Sequence, residues 1–165
     1  IMAASSWDPR QPRIVGPEGG IAPIYKFKEG STQSYKAGTL VAAAASTGLI
    51  AAFATSGTAI TGIAMEDASG TASTAAHVQI IRPGDRVQFT CYDVSDGAET
   101  SASNFVAGAT YDIEVVSGVC YAEHDSVHAT TEELIFVQPV YDVNGDSTTE
   151  GIFMIEGAAL TFHKG

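Results

Sequence analysis

The stretch that decides the fold is residues 77–92, which read HVQIIRPGDRVQFTCY. Its second half alternates, so Val87, Phe89 and Cys91 fall on one side of an extended chain and polar residues on the other. The Arg-Pro-Gly-Asp sequence between the halves is typical of a tight turn, because proline fixes φ and glycine tolerates positive φ. The stretch therefore predicts two strands joined as a hairpin.

Short strand-like runs continue on both sides of this stretch. They begin at Ile24 and recur to the end of the chain at a spacing of roughly 8–12 residues. A second hairpin is predicted from 110–116 and 119–122, with Ser-Gly as its turn, and only 125–133 has any helical character. The sequence therefore predicts a mostly β protein with little helix, built as an antiparallel β-sandwich or barrel.

The first 23 residues differ from the rest of the chain, because prolines and glycines interrupt them and they follow no period. We expect residues 1–23 to form an extended N-terminal arm and 24–165 to form a β-rich body. The arm nevertheless carries apolar and basic side chains suited to packing on a neighbour. These candidate binding residues are Trp7, Arg10, Arg13, Ile14, Val15 and Ile21. The alternative is a segment that folds back on its own domain.

Charge is distributed unevenly along the chain, whose formal net charge is −11. Residues 1–40 contain five basic and three acidic residues, whereas 41–165 contain three basic and sixteen acidic ones. So few basic residues exclude nucleic acid as a partner, since a phosphate-binding surface needs clustered Lys and Arg. Acidity keeps the body soluble, and the basic leading segment is suited to docking on something acidic.

The uncharged stretch 37–65 is long enough to span a bilayer. Serine, threonine and glycine divide it into apolar runs of about six residues, which are strand-sized, so we expect no membrane partner. No apolar leader is visible at the N-terminus, which predicts an intracellular site of synthesis, in the cytoplasm. Cys91 and Cys120 are then expected to be reduced and buried, although one disulfide between them stays open.

Two patterns resemble metal sites without completing them. Residues 142–146 read DVNGD and resemble the start of a calcium loop, but Ser147 replaces the glycine and Phe153 falls near the place of the bidentate glutamate. His124 and His128 have zinc-binding spacing but no third ligand in sequence. No nucleophile elbow or phosphate loop occurs. We therefore expect no catalytic residue, metal or cofactor, and an enzyme using scattered acids is the competing class.

Four motifs carry a resemblance to a known family. They are YKAGTLV at 35–41, ITGIAMED at 60–67, RPGDRV at 82–87 and FVAGATY at 105–111. In this order, over residues 24–120, they resemble the head decoration (cement) proteins of tailed phages, of the lambda type. In that family an Ala-Gly strand precedes a Gly-Ile/Val-Ala strand that ends in an acid.

The resemblance implies a small β-tulip body that sits as a homotrimer on the outer surface of the virion capsid. It also implies an N-terminal arm that binds the major capsid protein, so that the shell resists the pressure of packed DNA. Residues 122–165 depart from the family pattern and are expected to be an insertion or an outward-facing elaboration. The alternative function is an adhesive or carbohydrate-binding β-sandwich of a spike or fibre. Its candidate aromatic residues are Trp7, Tyr92, Tyr121 and Tyr141.

Overall fold

The protein is built almost entirely of β-strands. The structure, a computed structural model, describes residues 8–17, 19–55, 57, 59–125 and 133–162. Within these residues the only helical elements are two short 3-10 turns, at Ala102–Asn104 and Gly157–Ala159. The mostly β fold predicted from the sequence is therefore confirmed. None of the helices formed by the described residues has the length and apolar character needed to cross a membrane.

Thirteen strands follow one another along the described part of the chain. They are β1 (Arg13–Gly16), β2 (Ile24–Glu29), β3 (Leu40–Ala43), β4 (Leu49–Ala52), β5 (Gly62–Ala64), β6 (Ala75–Ile80), β7 (Arg86–Asp93), β8 (Ala98–Glu99), β9 (Thr110–Tyr111), β10 (Ile113–Val116), β11 (Val119–Glu123), β12 (Leu134–Tyr141) and β13 (Ser147–Ile155).

The first half of the chain forms a small closed barrel in the order β2-β4-β3-β5-β6. Side chains alternate along its strands, so that Val78 and Ile80 of β6 point inward and are buried while Ala75 and His77 are exposed. Val41 and Ile50 complete the middle of this core. The uncharged stretch 37–65 supplies three of the five strands, as its apolar runs of strand length require.

The second half forms an eight-stranded sheet in the order β10-β11-β7-β13-β12-β9, and β1 and β8 also pair with β7. Its core is aromatic, because the rings of Phe89, Phe136 and Phe105 all lie within 6 Å of the Phe153 ring, at 5.7, 5.1 and 5.6 Å. Leu40 of the barrel belongs to this core as well. One side of the barrel therefore packs against the sheet in a sandwich-like arrangement.

The hairpin predicted for residues 77–92 is wrong, because its two strands belong to different sheets. β6 pairs with β2 and β5, whereas β7 pairs with β1, β8, β11 and β13. The turn itself is real: the buried carboxylate of Asp85 accepts a hydrogen bond from the Arg82 backbone nitrogen at 2.8 Å. This turn carries the chain from the barrel to the sheet. The second predicted hairpin, β10–β11, is confirmed.

The C-terminal third of the chain lies inside the fold. β13 is hydrogen-bonded between β7 and β12, and Phe136 and Phe153 of this region are buried in the main core. Residues 134–155 are therefore integral to the body rather than an outward addition. A final strand expected from the sequence at 159–163 does not form within the described residues: the 3-10 turn Gly157–Ala159 is followed by a single bridge between Leu160 and Ile60. The predicted helical stretch lies mostly outside the described residues.

Candidate functional site

The leading segment is fixed to the body by one buried side chain. The amide nitrogen of Gln11 donates to the backbone oxygen of Gly118 at 2.7 Å and to Thr39 Oγ1 at 3.2 Å. Its side-chain oxygen accepts from the backbone nitrogen of Cys120 at 3.2 Å. Just beyond, β1 pairs with β7. Residues 11–16 therefore pack on the body. This agrees with the alternative in which the leading segment folds back on its own domain.

The structure separates the basic from the apolar candidates of this segment. Arg10 forms an ion pair with Asp8 at 2.6 Å, and Arg13 lies 3.7 Å from Glu150. Both guanidinium groups thus have acidic neighbours within the same chain. The hydrogen bonds that Arg10 donates to Asp8 hold the pKa of the Asp8 carboxyl below its usual range. The two arginines are therefore already engaged and contribute less to binding a partner than free cations would.

The apolar candidates have three different environments. Ile14 packs against the main core, whereas Val15 is 43 % exposed and Ile21 is 90 % exposed. Trp7 lies outside the described residues. Of the aliphatic candidates, Val15 and Ile21 are thus the two that face solvent, and Ile14 has a structural role.

Further exposed apolar residues lie beside this segment, on the barrel. Ile24 is 51 % exposed and pairs with Gln79, whose side chain lines a shallow cavity of about 290 Å³ between β1 and the barrel. Arg13 and the 44 % exposed Met65 line the same cavity. The leading segment and the barrel therefore share one surface. We call the exposed aliphatic side chains of Val15, Ile21, Ile24 and Met65, taken together, the apolar face.

Two lysines extend this surface along β2. Lys26 and Lys28 pair with His77 and Ala75 on the outer side of the barrel, and both are exposed. They line a groove of about 500 Å³. Within the described part of the chain, neither lysine lies in an ion pair. The sequence signal that identifies them is a lysine at every second place of a strand in a strongly acidic chain.

Two buried carboxyl groups, those of Asp112 and Glu133, lie near the start of β12. Glu133 is 3 % exposed, its Oε2 accepts from the Ile113 backbone nitrogen at 3.2 Å, and no described residue hydrogen-bonds its Oε1. Burial raises the pKa of Glu133 to about 8, and the nearby Asp112 carboxylate adds to the shift. A carboxyl group with a raised pKa beside a second carboxyl group is typical of acid–base catalytic sites. Neither residue, however, lines any of the three cavities of about 500, 370 and 290 Å³.

One cluster combines a histidine with two aspartates, which are side chains that can bind a metal ion. Asp93, His124 and Asp125 bring their ligand atoms within 4.8 Å of one another at the ends of β7 and β11. These groups are bonded to one another and to the adjacent loop, since His124 Nδ1 lies 3.1 Å from Asp125 and Ser95 donates to the same carboxylate. His128, the other predicted zinc candidate, lies outside the described residues.

The acidic loop between β12 and β13 is closed by its own backbone. The Asp142 carboxylate accepts hydrogen bonds from the backbone nitrogens of Asn144 and Asp146, at 2.8 and 3.0 Å. These bonds lower the pKa of Asp142. The loop is therefore the turn of the β12–β13 hairpin.

The cysteines are free, and both are buried. Burial raises the pKa of each thiol, Cys91 and Cys120, to about 12. The thiolate, which is the nucleophilic form, is therefore strongly disfavoured at neutral pH. Both residues behave as small core side chains.

The aromatic residues proposed for carbohydrate binding are not all exposed. Tyr92 and Tyr121 stack with ring centroids 4.9 Å apart, but Tyr121 is 3 % exposed. Tyr141 is 56 % exposed and lies at the end of β12. Trp7 is outside the described residues. Of the three carbohydrate-binding candidates that the structure describes, Tyr141 is therefore the well-exposed one.

Comparison with known proteins finds no matching family model, and no curated protein or solved structure matches the chain. What the protein does therefore has to follow from the surfaces described above.

Proposed function

We propose that this protein is a decoration, or cement, protein of a tailed-phage head. It binds the outer surface of the shell as an oligomer, expected to be a homotrimer, and stabilises the shell against the pressure of packed DNA. Its partner is the major capsid protein. The observation that supports this function best is the apolar face, whose four residues expose aliphatic surface on a strongly acidic protein.

The apolar face supplies the energy of attachment in this proposal. Burying an exposed aliphatic side chain stabilises an interface by about 1.5–3 kcal/mol, and Ile21, at 90 % exposed, has nearly all of its surface to contribute. One such face gives only a weak contact after the entropy of association is subtracted. An oligomer that presents several faces to a repeating lattice binds far more tightly, because each later contact is intramolecular.

In this proposal the capsid is bound by a surface of the folded body and not by a free arm. Residues 11–16 are held on the body, so deleting the leading segment would also remove β1 and the Gln11 hydrogen bonds. Point substitutions on the apolar face are therefore the cleaner test. Ile21→Asp and Ile24→Asp place charges at exposed positions outside both cores.

The experiment is co-sedimentation of the variants with DNA-filled heads of the phage whose genome carries this sequence. Val143→Asp is the matched control, since Val143 is fully exposed at 101 % but lies in the turn between β12 and β13. We expect the double variant I21D/I24D to lose at least about tenfold in affinity and V143D to bind like the wild type. Equal binding by all three proteins would show that the apolar face is not the attachment surface.

The second candidate function, an adhesive or carbohydrate-binding domain of a spike or fibre, is favoured by the exposed hairpin end that presents Tyr141. A stacking tyrosine is a common way to hold a sugar ring, because its face is apolar while its hydroxyl is polar. Glycan-array binding that is lost in Tyr141→Ala, together with no binding to heads, would favour this function over the first.

A further inference from the structure

Strand β2 is paired unequally on its two sides. Five residues, Ile24 to Lys28, pair with β6 on one side. On the other side only Lys28 and Glu29 pair with β4, opposite Leu49 and Ile50. The barrel is therefore closed at the C-terminal end of β2 and open beside its first residues.

Hydrogen-bond register shows which backbone groups face this opening. The Ile80 nitrogen donates to the Pro23 oxygen at 2.9 Å, and the Glu29 nitrogen donates to the Thr74 oxygen at 2.8 Å. In an antiparallel pair such bonds alternate, so odd-numbered residues of β2 bond to β6 and even-numbered ones point the other way. The N–H and C=O groups of Ile24 and Lys26 thus face the opening. Neither residue takes part in the β2–β4 ladder, which covers only Lys28 and Glu29.

The opening is flanked by positive charge on an acidic protein. Lys26 and Lys28 lie in no ion pair among the described residues, whereas Arg10, Lys36 and Arg82 each have an acidic partner. Both lysines line the groove of about 500 Å³, which extends to the turn before β4. A strand edge and unpaired cations therefore occur together at one place.

We propose that the open edge of β2 binds an extended acidic segment of a partner protein by strand addition. The backbone of Ile24 and Lys26 supplies the hydrogen bonds, and the two lysines pair with carboxylates on the added strand. Lysines on an edge also repel basic strands and discourage neutral ones, so the same side chains set the selectivity.

This inference deepens the proposed function and rests on it only for the identity of the partner, which would be the shell protein. The site itself, an open strand edge with two lysines, does not depend on the partner being a capsid. A simple anion would need the lysines but not the edge. The two kinds of ligand are therefore separable by experiment.

The test uses the full-length, isotope-labelled protein and three short blocked peptides. One alternates valine and glutamate, one alternates valine and lysine, and one has proline in place of valine beside glutamate. We expect only the valine–glutamate peptide to shift the amide resonances of Ile24 and Lys26 and to slow exchange of the Lys26 amide. Added salt should weaken this binding, because exposed lysines contribute to it.

A matched pair of variants isolates the backbone contribution. Lys26→Ala removes the charge, while Lys26→Pro removes the charge and the outward N–H but leaves the β6 ladder, which uses the odd-numbered residues. We expect K26P to bind the valine–glutamate peptide at least about tenfold more weakly than K26A. Equal binding by the two variants would overturn strand addition, as would equal binding of the proline–glutamate peptide to the wild type.

The outcomes also separate this inference from the proposed function. If the wild type binds heads but none of the peptides, the edge proposal fails and the decoration function stands. If the valine–glutamate peptide binds at the edge but heads do not, the decoration function fails and the edge site stands. If K26P does not fold, the amide exchange of the wild type still decides the question.

Discussion

The side-chain oxygen of Gln11 accepts a hydrogen bond from the backbone nitrogen of Cys120 at 3.2 Å, across 109 residues of sequence. The same amide group donates to the oxygen of Gly118, so one glutamine bonds to both sides of the residue after the β10–β11 turn. Gln11 is 4 % exposed and Cys120 is fully buried. This contact fixes the position of the leading segment on the body at Gln11, and β1 with the exposed Val15 follows directly.

Replacing Gln11 tests this attachment. Gln11→Ala leaves the Cys120 nitrogen and the Gly118 oxygen without their partner in a buried place, so we expect the free energy of unfolding to fall by about 1–3 kcal/mol. Urea denaturation measures this value. Arg10→Ala is the control, because its exposed ion pair with Asp8 should change stability by less than about 0.5 kcal/mol. Equal effects of the two changes would mean that Gln11 does not anchor the segment.

Close packing of β5 against β6 gives a second prediction. A Cβ on Gly62 would lie 2.0 Å from the backbone oxygen of Gln79, so Gly62→Ala forces the two strands apart. We expect a loss of about 3 kcal/mol or more, or failure to fold. Gly157→Ala is the matched control, because no atom lies within 4 Å of the added Cβ. A thermal denaturation curve for G62A that matches the wild type would contradict this register.

The raised pKa of Glu133 makes stability depend on pH. The folded protein holds this proton up to about pH 8, whereas an ordinary glutamate loses it near 4.5. The contribution of Glu133 to the free energy of unfolding is therefore fully present below about pH 4.5. It is lost as the pH rises to about 8, by an amount on the order of a few kcal/mol. We expect Glu133→Gln to remove most of this decline.

Urea denaturation across this pH range measures the effect of Glu133. Glu66→Gln is the control, since a hydrogen bond to His77 lowers the pKa of that exposed carboxyl and its removal should leave the decline in place. Parallel pH curves for the wild type and E133Q would show that Glu133 ionises normally in the folded protein.

The two thiols should resist modification while the protein is folded. Burial raises the pKa of Cys91 and Cys120 to about 12, so neither is ionised or accessible at neutral pH. We expect no reaction with a thiol-specific disulfide reagent in native buffer and reaction of both cysteines in denaturant. Rapid native labelling of either residue would place it at the surface.

The sequence predicted the strands better than it predicted their partners. Alternation located β7, and the Ser117-Gly118 turn located the β10–β11 hairpin, because both signals are local. Residues 82–85 also form a turn, yet β6 and β7 pair with strands of different sheets, β6 with β2 and β7 with β13. Pairing between distant strands depends on packing that no short stretch encodes.

The candidate surface was only partly visible in the sequence. Val15 and Ile21 were identified from apolar residues in a proline-rich segment, and both are exposed. Ile24 and Met65 were missed, because an apolar residue within a strand is ordinarily assigned to the core. The exposure of Ile24 follows from register, because it lies opposite Gln79 on the outer side of the barrel. Register is a tertiary property.

The measurement that tests the proposed function most directly is a binding isotherm of the wild-type protein on DNA-filled heads, read by co-sedimentation, with light scattering of the free protein beside it. We predict a trimer in solution and saturable binding at a fixed number of copies per head. A monomer that stays in the supernatant at every concentration would contradict the proposal that this protein binds and stabilises a phage shell.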